Sequence, residues 1–262
     1  MIRKIIAAIV MCFAAVGCHS APEKAPTHEV RIAAAADLQF ALVELIAEFK
    51  SRHPAIDVKA TYGASGNFFA QISNRAPFDL LLSADVEYPS KLVEQGLGIK
   101  DTAFTYAIGH LVLWVPSVST LDLQKGGMEV LLDPFINKIA VANPKHAPYG
   151  RAAVAALKKL SLYERIEGKL VYGDNVAQTA QFVDTGAADI GLIPLSLAKA
   201  PAMRDKGRYA DVPPDSYPRL DQGGVVLTWV QDRAAADAFR GFMTSDEGKA
   251  LLRRYGFIVP GD

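Results

Sequence analysis

The chain has 262 residues, half of them hydrophobic, and its 28 lysines and arginines balance its 28 aspartates and glutamates. This formal neutrality gives no electrostatic basis for binding nucleic acid or an anionic membrane surface. A chain of this length can bury an ample core, so we expect one large domain or two lobes.

The N-terminus has the layout of an export signal. A positively charged start precedes an apolar run over residues 5–16, and small residues then lead to Cys18. This order resembles the lipobox of bacterial lipoproteins, which predicts a signal over 1–18 and lipidation of Cys18; the alternative is an ordinary signal peptide that is cleaved away. Residues 19–29 are predicted to form a flexible tether. Because the other cysteine, Cys12, lies inside the apolar run, the mature body has no disulfide, cysteine nucleophile or thiolate metal site.

Short apolar runs alternate with helical patterns along the first half of the chain. The predicted strands are 30–36, 56–62, 80–82 and a longer one over 106–115, and the predicted helices are 38–49, 68–72 and 90–95. This alternation favours a mostly parallel sheet with helices on both faces.

A second alternating series follows. Its predicted strands are 139–142, 170–172, 190–193 and 223–230, and its predicted helices are 151–160, 177–183, 234–243 and 247–255. We therefore predict an α/β protein with two lobes around a cleft, lobe 1 from 30–110 and 220–262 and lobe 2 from 111–219. Ligands of open α/β sheets bind outside the carboxyl ends of the strands. The tryptophans Trp114 and Trp229 are expected in the core.

Five segments of small or capping residues each join a predicted strand to a predicted helix. They are AAADL at 34–38, GASG at 63–66, SAD at 83–85, APYG at 147–150 and NVAQ at 175–178. Any one of them is consistent with a routine turn and an N-cap. Five such segments on the same side of both predicted sheets favour an anion-binding site. The anion would be held there by backbone N–H groups, hydroxyls and helix N-termini, without a lysine or arginine clamp.

Together with YGASGNFFAQI, APFDLLLSAD, ANPKHAPYGRAA, GAADIGLI and RYGF, these motifs resemble the periplasmic molybdate-binding proteins of ABC importers, over about 30–257. The resemblance implies a two-lobed periplasmic-binding-protein fold that closes on molybdate or tungstate and delivers it to a membrane permease. It also implies a periplasmic or cell-envelope location and attachment to the membrane through the lipid anchor alone. We further expect a monomer that binds no nucleic acid and needs no cofactor.

The resemblance also implies the ligand contacts. Position by position, they fall on side chains at Asp37, Ser65 and Tyr149 and on backbone N–H groups at Ala84 and Val176. The phenol is assigned to Tyr149 because the other position at which the family carries a tyrosine is a proline in this chain.

Asp37 departs from the family pattern, since many members have serine there. An ionised carboxylate a few ångströms from a dianion is repelled by it. Three interpretations are open: Asp37 caps its own helix, holds a proton and donates it, or coordinates the metal directly. We favour the cap, because aspartate is a leading N-cap residue.

The sequence gives little support for catalysis. The histidines are dispersed without metal-ligand spacing, and Ser65 has no evident histidine and acid partners. The alternatives to a molybdate-binding protein are a binding protein for another oxyanion, such as sulfate or phosphate, and a sensor or an extracytoplasmic enzyme on the same scaffold.

Overall fold

The computed structural model describes residues 28–262. The predicted signal over 1–18, its Cys18 and the tether up to residue 27 lie outside the described residues and stay predictions. Between residues 28 and 262, no helix is both long and apolar enough to cross a bilayer.

Strands and helices alternate along the described chain, as the sequence pattern predicts. The strands are β1 His28–Ala35, β2 Ile56–Gly63, β3 Leu80–Ser83, β4 Phe104–Gly109, β5 Leu111–Pro116, β6 Ile139–Ala142, β7 Leu170–Gly173, β8 Ile190–Pro194, β9 Gly207–Asp211 and β10 Leu220–Val226. The α-helices are α1 Gln39–Arg52, α2 Ser65–Ser73, α3 Glu87–Glu94, α4 Leu123–Gly126, α5 Pro148–Lys159, α6 Tyr163–Ile166, α7 Val176–Asp184, α8 Leu195–Ala198, α9 Arg233–Thr244 and α10 Asp246–Arg254. A short 3-10 turn, Ala36–Leu38, joins β1 to α1.

Two five-stranded sheets form the two lobes. The sheet of lobe 1 has the order β2-β1-β3-β10-β4, and that of lobe 2 has the order β7-β6-β8-β5-β9. In lobe 1, β10 runs antiparallel to both of its neighbours, and in lobe 2 β5 does the same. The other four strands of each sheet therefore share one direction, which confirms the predicted α/β class with mostly parallel sheets.

The chain passes from lobe 1 to lobe 2 through a single residue, His110. The prediction of one strand over 106–115 is wrong, because β4 pairs with β10 in the first sheet and β5 pairs with β8 and β9 in the second. Both strands are largely buried, so the apolar pattern continues from β4 to β5. The chain returns to lobe 1 between β9 and β10.

The two tryptophans lie in different surroundings. Trp114, on β5, is 1% exposed and belongs to the core of lobe 2. The predicted strand over 223–230 is displaced: β10 begins at Leu220 and ends at Val226, so Trp229 lies beyond it. Trp229 is partly exposed, packs at the edge of a small cluster around Phe68 and is stacked by the Arg75 guanidinium.

Candidate functional site

A small cavity lies between the lobes, where strands from both sheets end. All five residues assigned from the sequence line it. Its full lining is Ala35, Ala36, Asp37, Gly63, Ala64, Ser65, Ala84, Ala147, Pro148, Tyr149, Asn175 and Val176. The carboxyl ends of β1, β2 and β3 deliver the lobe 1 residues, and the turns after β6 and β7 deliver those of lobe 2. The lining contains no lysine, arginine or histidine, so an anion in this cavity depends on neutral donors.

Ser65 and Ala84 form one donor pair on the wall of lobe 1. Ser65 is the first residue of α2 and is 1% exposed, and its Oγ accepts a hydrogen bond of 3.0 Å from the Ala84 N–H. A hydroxyl that accepts such a bond keeps its own proton for another acceptor. Ala84 therefore orients the hydroxyl of Ser65 in this structure, and a direct bond from its N–H to a ligand stays a prediction.

Val176 presents a helix N-terminus from lobe 2. It is the first residue of α7, and the side chain of the preceding Asn175 accepts hydrogen bonds from the N–H groups of Ala177 and Gln178, at 2.9 and 3.1 Å. The Asn175 side chain thus satisfies the N–H groups of Ala177 and Gln178 but not that of Val176, which lines the cavity. An N-terminus with free N–H groups and a favourable dipole suits an anion.

Tyr149 is held by two residues of lobe 1 that the sequence analysis did not single out. Its buried phenol oxygen accepts a hydrogen bond of 3.1 Å from the Gln222 amide. A Cβ atom at Gly109 would lie only 2.2 Å from that oxygen, so glycine is required there for the tyrosine to fit. The available signal was a glutamine followed by paired glycines at the start of an apolar run.

Asp37 is buried beside Gln222 and Tyr149. Its Oδ2 accepts a hydrogen bond of 2.5 Å from the Gln222 amide, whereas Oδ1 has no hydrogen-bond partner among the described residues. Burial raises the pKa of Asp37 to about 6, and hydrogen bonding to the carboxylate, from Gln222 above all, only partly opposes this rise.

The favoured helix-cap interpretation of Asp37 is wrong. The N-cap position of α1 is Leu38 and that of the preceding 3-10 turn is Ala35, and neither helix start has a side-chain cap bond. The local preference of aspartate for a cap is overridden by an amide donor from β10, 185 residues away in sequence. Within residues 28–262, no group of three or more histidine, cysteine, aspartate or glutamate side chains is placed to hold a metal ion, and direct coordination of the oxyanion's metal by Asp37 stays a hypothesis.

Polar contacts also join the lobes outside the cavity. The Arg151 guanidinium of α5 pairs with Asp85, donates a 3.0 Å hydrogen bond to the phenol oxygen of Tyr88, and lies over the Tyr88 ring. We call these three residues the clasp. Nearby, the Gly66 N–H donates to the His146 carbonyl at 2.9 Å, again from lobe 1 to lobe 2. These bonds hold the two lobes together over the cavity.

Two lobes closed over a small cavity of neutral donors define the class of extracellular solute-binding proteins with a periplasmic-binding-protein fold. The sequence model of one family, described as bacterial extracellular solute-binding protein, matches residues 30–258, and the chain belongs to this family.

Individual relatives carry more specific names. The chain is 37% identical to the molybdate-binding protein ModA of Rhodobacter capsulatus over 202 residues, which are 77% of each chain. It is 36% identical to the ModA protein of Azotobacter vinelandii, over 87% of this chain and 89% of that one. Among solved structures, a periplasmic molybdate-binding protein of Azotobacter vinelandii superposes with a TM-score of 0.83 at 30% identity, covering 88% of this chain and 99% of the other.

Proposed function

We propose that this protein captures molybdate, and tungstate with it, in the cavity between its lobes and delivers the anion to the permease of an ABC importer. The observation that carries the proposal is the enclosed, cation-free cavity into which neutral donors from both lobes converge. The names of the relatives support molybdate as the ligand.

The donor set suits an oxyanion that is fully ionised at neutral pH. Helix N-termini and hydroxyls favour negative charge, and none of these donors loses its proton near pH 7. Because the donors sit on helix starts, their spacing is fixed and selects the size of the anion. Sulfate, a smaller tetrahedral dianion, is the second candidate for the same set of donors.

No feature of the site favours catalysis. Ser65 Oγ is bonded to the Ala84 N–H, and the cavity lining contains no histidine that could act as its base. Binding and release through lobe closure is therefore the proposed activity.

The location rests on the N-terminal sequence. We propose export, with Cys18 as the site of a lipid anchor that keeps a monomeric protein near its permease. Cys18→Ala should release the protein from the membrane fraction into the soluble one; equal membrane association of both forms would oppose the anchor.

The test of the ligand is thermal unfolding of the protein comprising residues 19–262, with molybdate, tungstate, sulfate or phosphate added in turn. A ligand at about 100 times its Kd adds about 2.7 kcal/mol to the free energy of unfolding, which raises Tm by about 5–10 °C in a chain of this size. We expect shifts with molybdate and tungstate. A shift with sulfate alone would favour the second candidate, and no shift with any of the four anions would refute the proposal.

A further inference from the structure

We propose that Asp37 binds the oxyanion as a neutral carboxylic acid, donating its proton from Oδ1, so that capture of the anion takes up one proton. The inference rests on the proposed function and concerns the chemistry of one residue in that site.

The two oxygens of Asp37 have different surroundings. Oδ2 accepts from the Gln222 amide at 2.5 Å, whereas Oδ1 is buried in the cavity wall and has no partner among the described residues. An ionised carboxylate only accepts hydrogen bonds, as does an oxyanion, so two acceptors would then face each other. A proton on Oδ1 converts this repulsive contact into a hydrogen bond from the protein to its ligand.

The groups around Asp37 do not neutralise a negative charge. Tyr149 of α5, Tyr106 of β4 and the Gln222 amide of β10 face it, and all three are neutral at pH 7. Ser196 of α8 donates to the backbone carbonyl of Asp37. Other charged side chains of the adjoining elements pair with partners elsewhere. They include Arg31 of β1 with Asp79, Asp221 of β10 with Arg219, Arg151 and Lys159 of α5 with Asp85 and Asp215, Asp184 of α7 with Lys206, Glu44 of α1 with Arg254, Glu48 and Arg52 of α1 with each other, Lys50 of α1 with Asp57 of β2, and Lys59 of β2 with Glu29.

Burial already raises the pKa of Asp37 to about 6 in the protein without ligand. A dianion beside the carboxyl disfavours its ionised form further, so the pKa is higher in the complex. At a pH between these two pKa values, Asp37 is ionised in the free protein and protonated in the complex. The affinity for the oxyanion is therefore highest below pH 6. Above pH 6 it decreases, by a factor that approaches ten per pH unit, because Asp37 must take up a proton when the anion binds.

Gln222 is the positioning residue of this arrangement. Its amide nitrogen donates to both Asp37 Oδ2 and the Tyr149 phenol oxygen, which fixes the side of the carboxyl group that accepts. Oδ1 is thereby left as the side that carries the proton. An asparagine at position 37 would reproduce this pattern, with its carbonyl toward Gln222 and its NH₂ toward the ligand.

The experiment is calorimetric titration with molybdate between pH 6 and pH 8. We expect the Kd of the wild type to rise about 50-fold over this range, as follows from a free-state pKa of about 6. We expect Asp37→Asn to change less than threefold over the same range and to bind more tightly than the wild type at pH 8. Asp215→Asn, which alters an aspartate with an 82% exposed side chain, is the matched control and should keep the wild-type slope.

A second measurement needs no variant. Titration of the wild type at pH 7 in two buffers with different ionisation enthalpies gives the number of protons taken up, which we expect to be close to one per molybdate. Binding of molybdate with a constant Kd and no proton uptake would overturn this inference and leave the proposed function intact. Failure to bind molybdate at every pH would overturn both.

Discussion

Substitution of Asp85 by asparagine separates two roles of the charges near the cleft. Asp85 belongs to lobe 1 and Arg151 to lobe 2, so their ion pair, like the 3.0 Å bond from Arg151 to Tyr88, exists only while the lobes are closed. The ligand is also enclosed only in that state. We therefore predict that Asp85→Asn weakens molybdate binding, although Asp85 does not line the cavity.

The magnitude follows from the exposure of the pair. The side chains of Arg151 and Asp85 are 39% and 23% exposed, and a partly solvated ion pair of this kind is worth about 0.2–1 kcal/mol. At the upper end, its loss raises Kd about fivefold. The local structure should survive, because asparagine Oδ1 can still accept the 2.9 Å bond that the Glu87 N–H donates to Asp85.

The sign of the effect makes this test decisive. If the charges acted on the anion only through space, removal of a negative charge would strengthen binding. If the clasp stabilises closure, the same substitution weakens binding and raises the dissociation rate, since an interaction present only in the closed state slows its opening. Calorimetry gives the Kd, and displacement of bound molybdate by excess tungstate in a stopped-flow instrument gives the rate. Unchanged or tighter binding would refute the role of the clasp, and Asp205→Asn, at an 82% exposed side chain, is the control.

Three further substitutions test the site and the core. Tyr149→Phe should weaken molybdate binding by about 1–3 kcal/mol, because it removes a hydroxyl that donates to the ligand; an unchanged Kd would show that the ligand does not use this hydroxyl. Gly109→Ala should weaken binding at least tenfold, because its Cβ would lie 2.2 Å from the Tyr149 phenol oxygen. The control is Gly241→Ala, which has open space around it and should bind as the wild type does. Equal Kd values for the two variants would contradict the prediction. Asp79→Ala should lower the free energy of unfolding by about 3 kcal/mol in urea denaturation, because Asp79 is fully buried and accepts three hydrogen bonds from Arg31. A loss below about 1 kcal/mol would show that the pair of Asp79 and Arg31 is dispensable for stability.

Local rules were sufficient for the parts of the site that depend on neighbouring residues. Each assigned position follows a strand and lies at or beside a helix start, and chain direction alone places such positions at one edge of a parallel sheet. The helix starts at Ser65 and Val176 were predictable in this way, since small and capping residues mark both, whereas their roles as ligand contacts come from the family resemblance and stay predictions. The assignment of Tyr149 needed the family resemblance as well, because a tyrosine in the first turn of a helix has no intrinsic reason to face a ligand.

The failures all involve contacts between distant parts of the chain. The apolar pattern over 106–115 does not show that this segment forms two strands, because burial in either of two sheets produces the same pattern. Gln222 was missed because a polar residue near a strand end resembles a loop, and its burial makes sense only with Asp37 and Tyr149 as partners. The cap interpretation of Asp37 failed for the same reason.

The lining of the cavity is divided between the lobes, with Asp37, Ser65 and Ala84 on one side and Tyr149 and Val176 on the other. An anion in this cavity therefore contacts donors from both lobes at once. Under the proposed function, occupancy would therefore set the relative orientation of the two lobes, and with it the distances between points on their outer surfaces. A protein partner that touches both lobes can distinguish the loaded from the empty carrier by shape alone, without access to the anion inside.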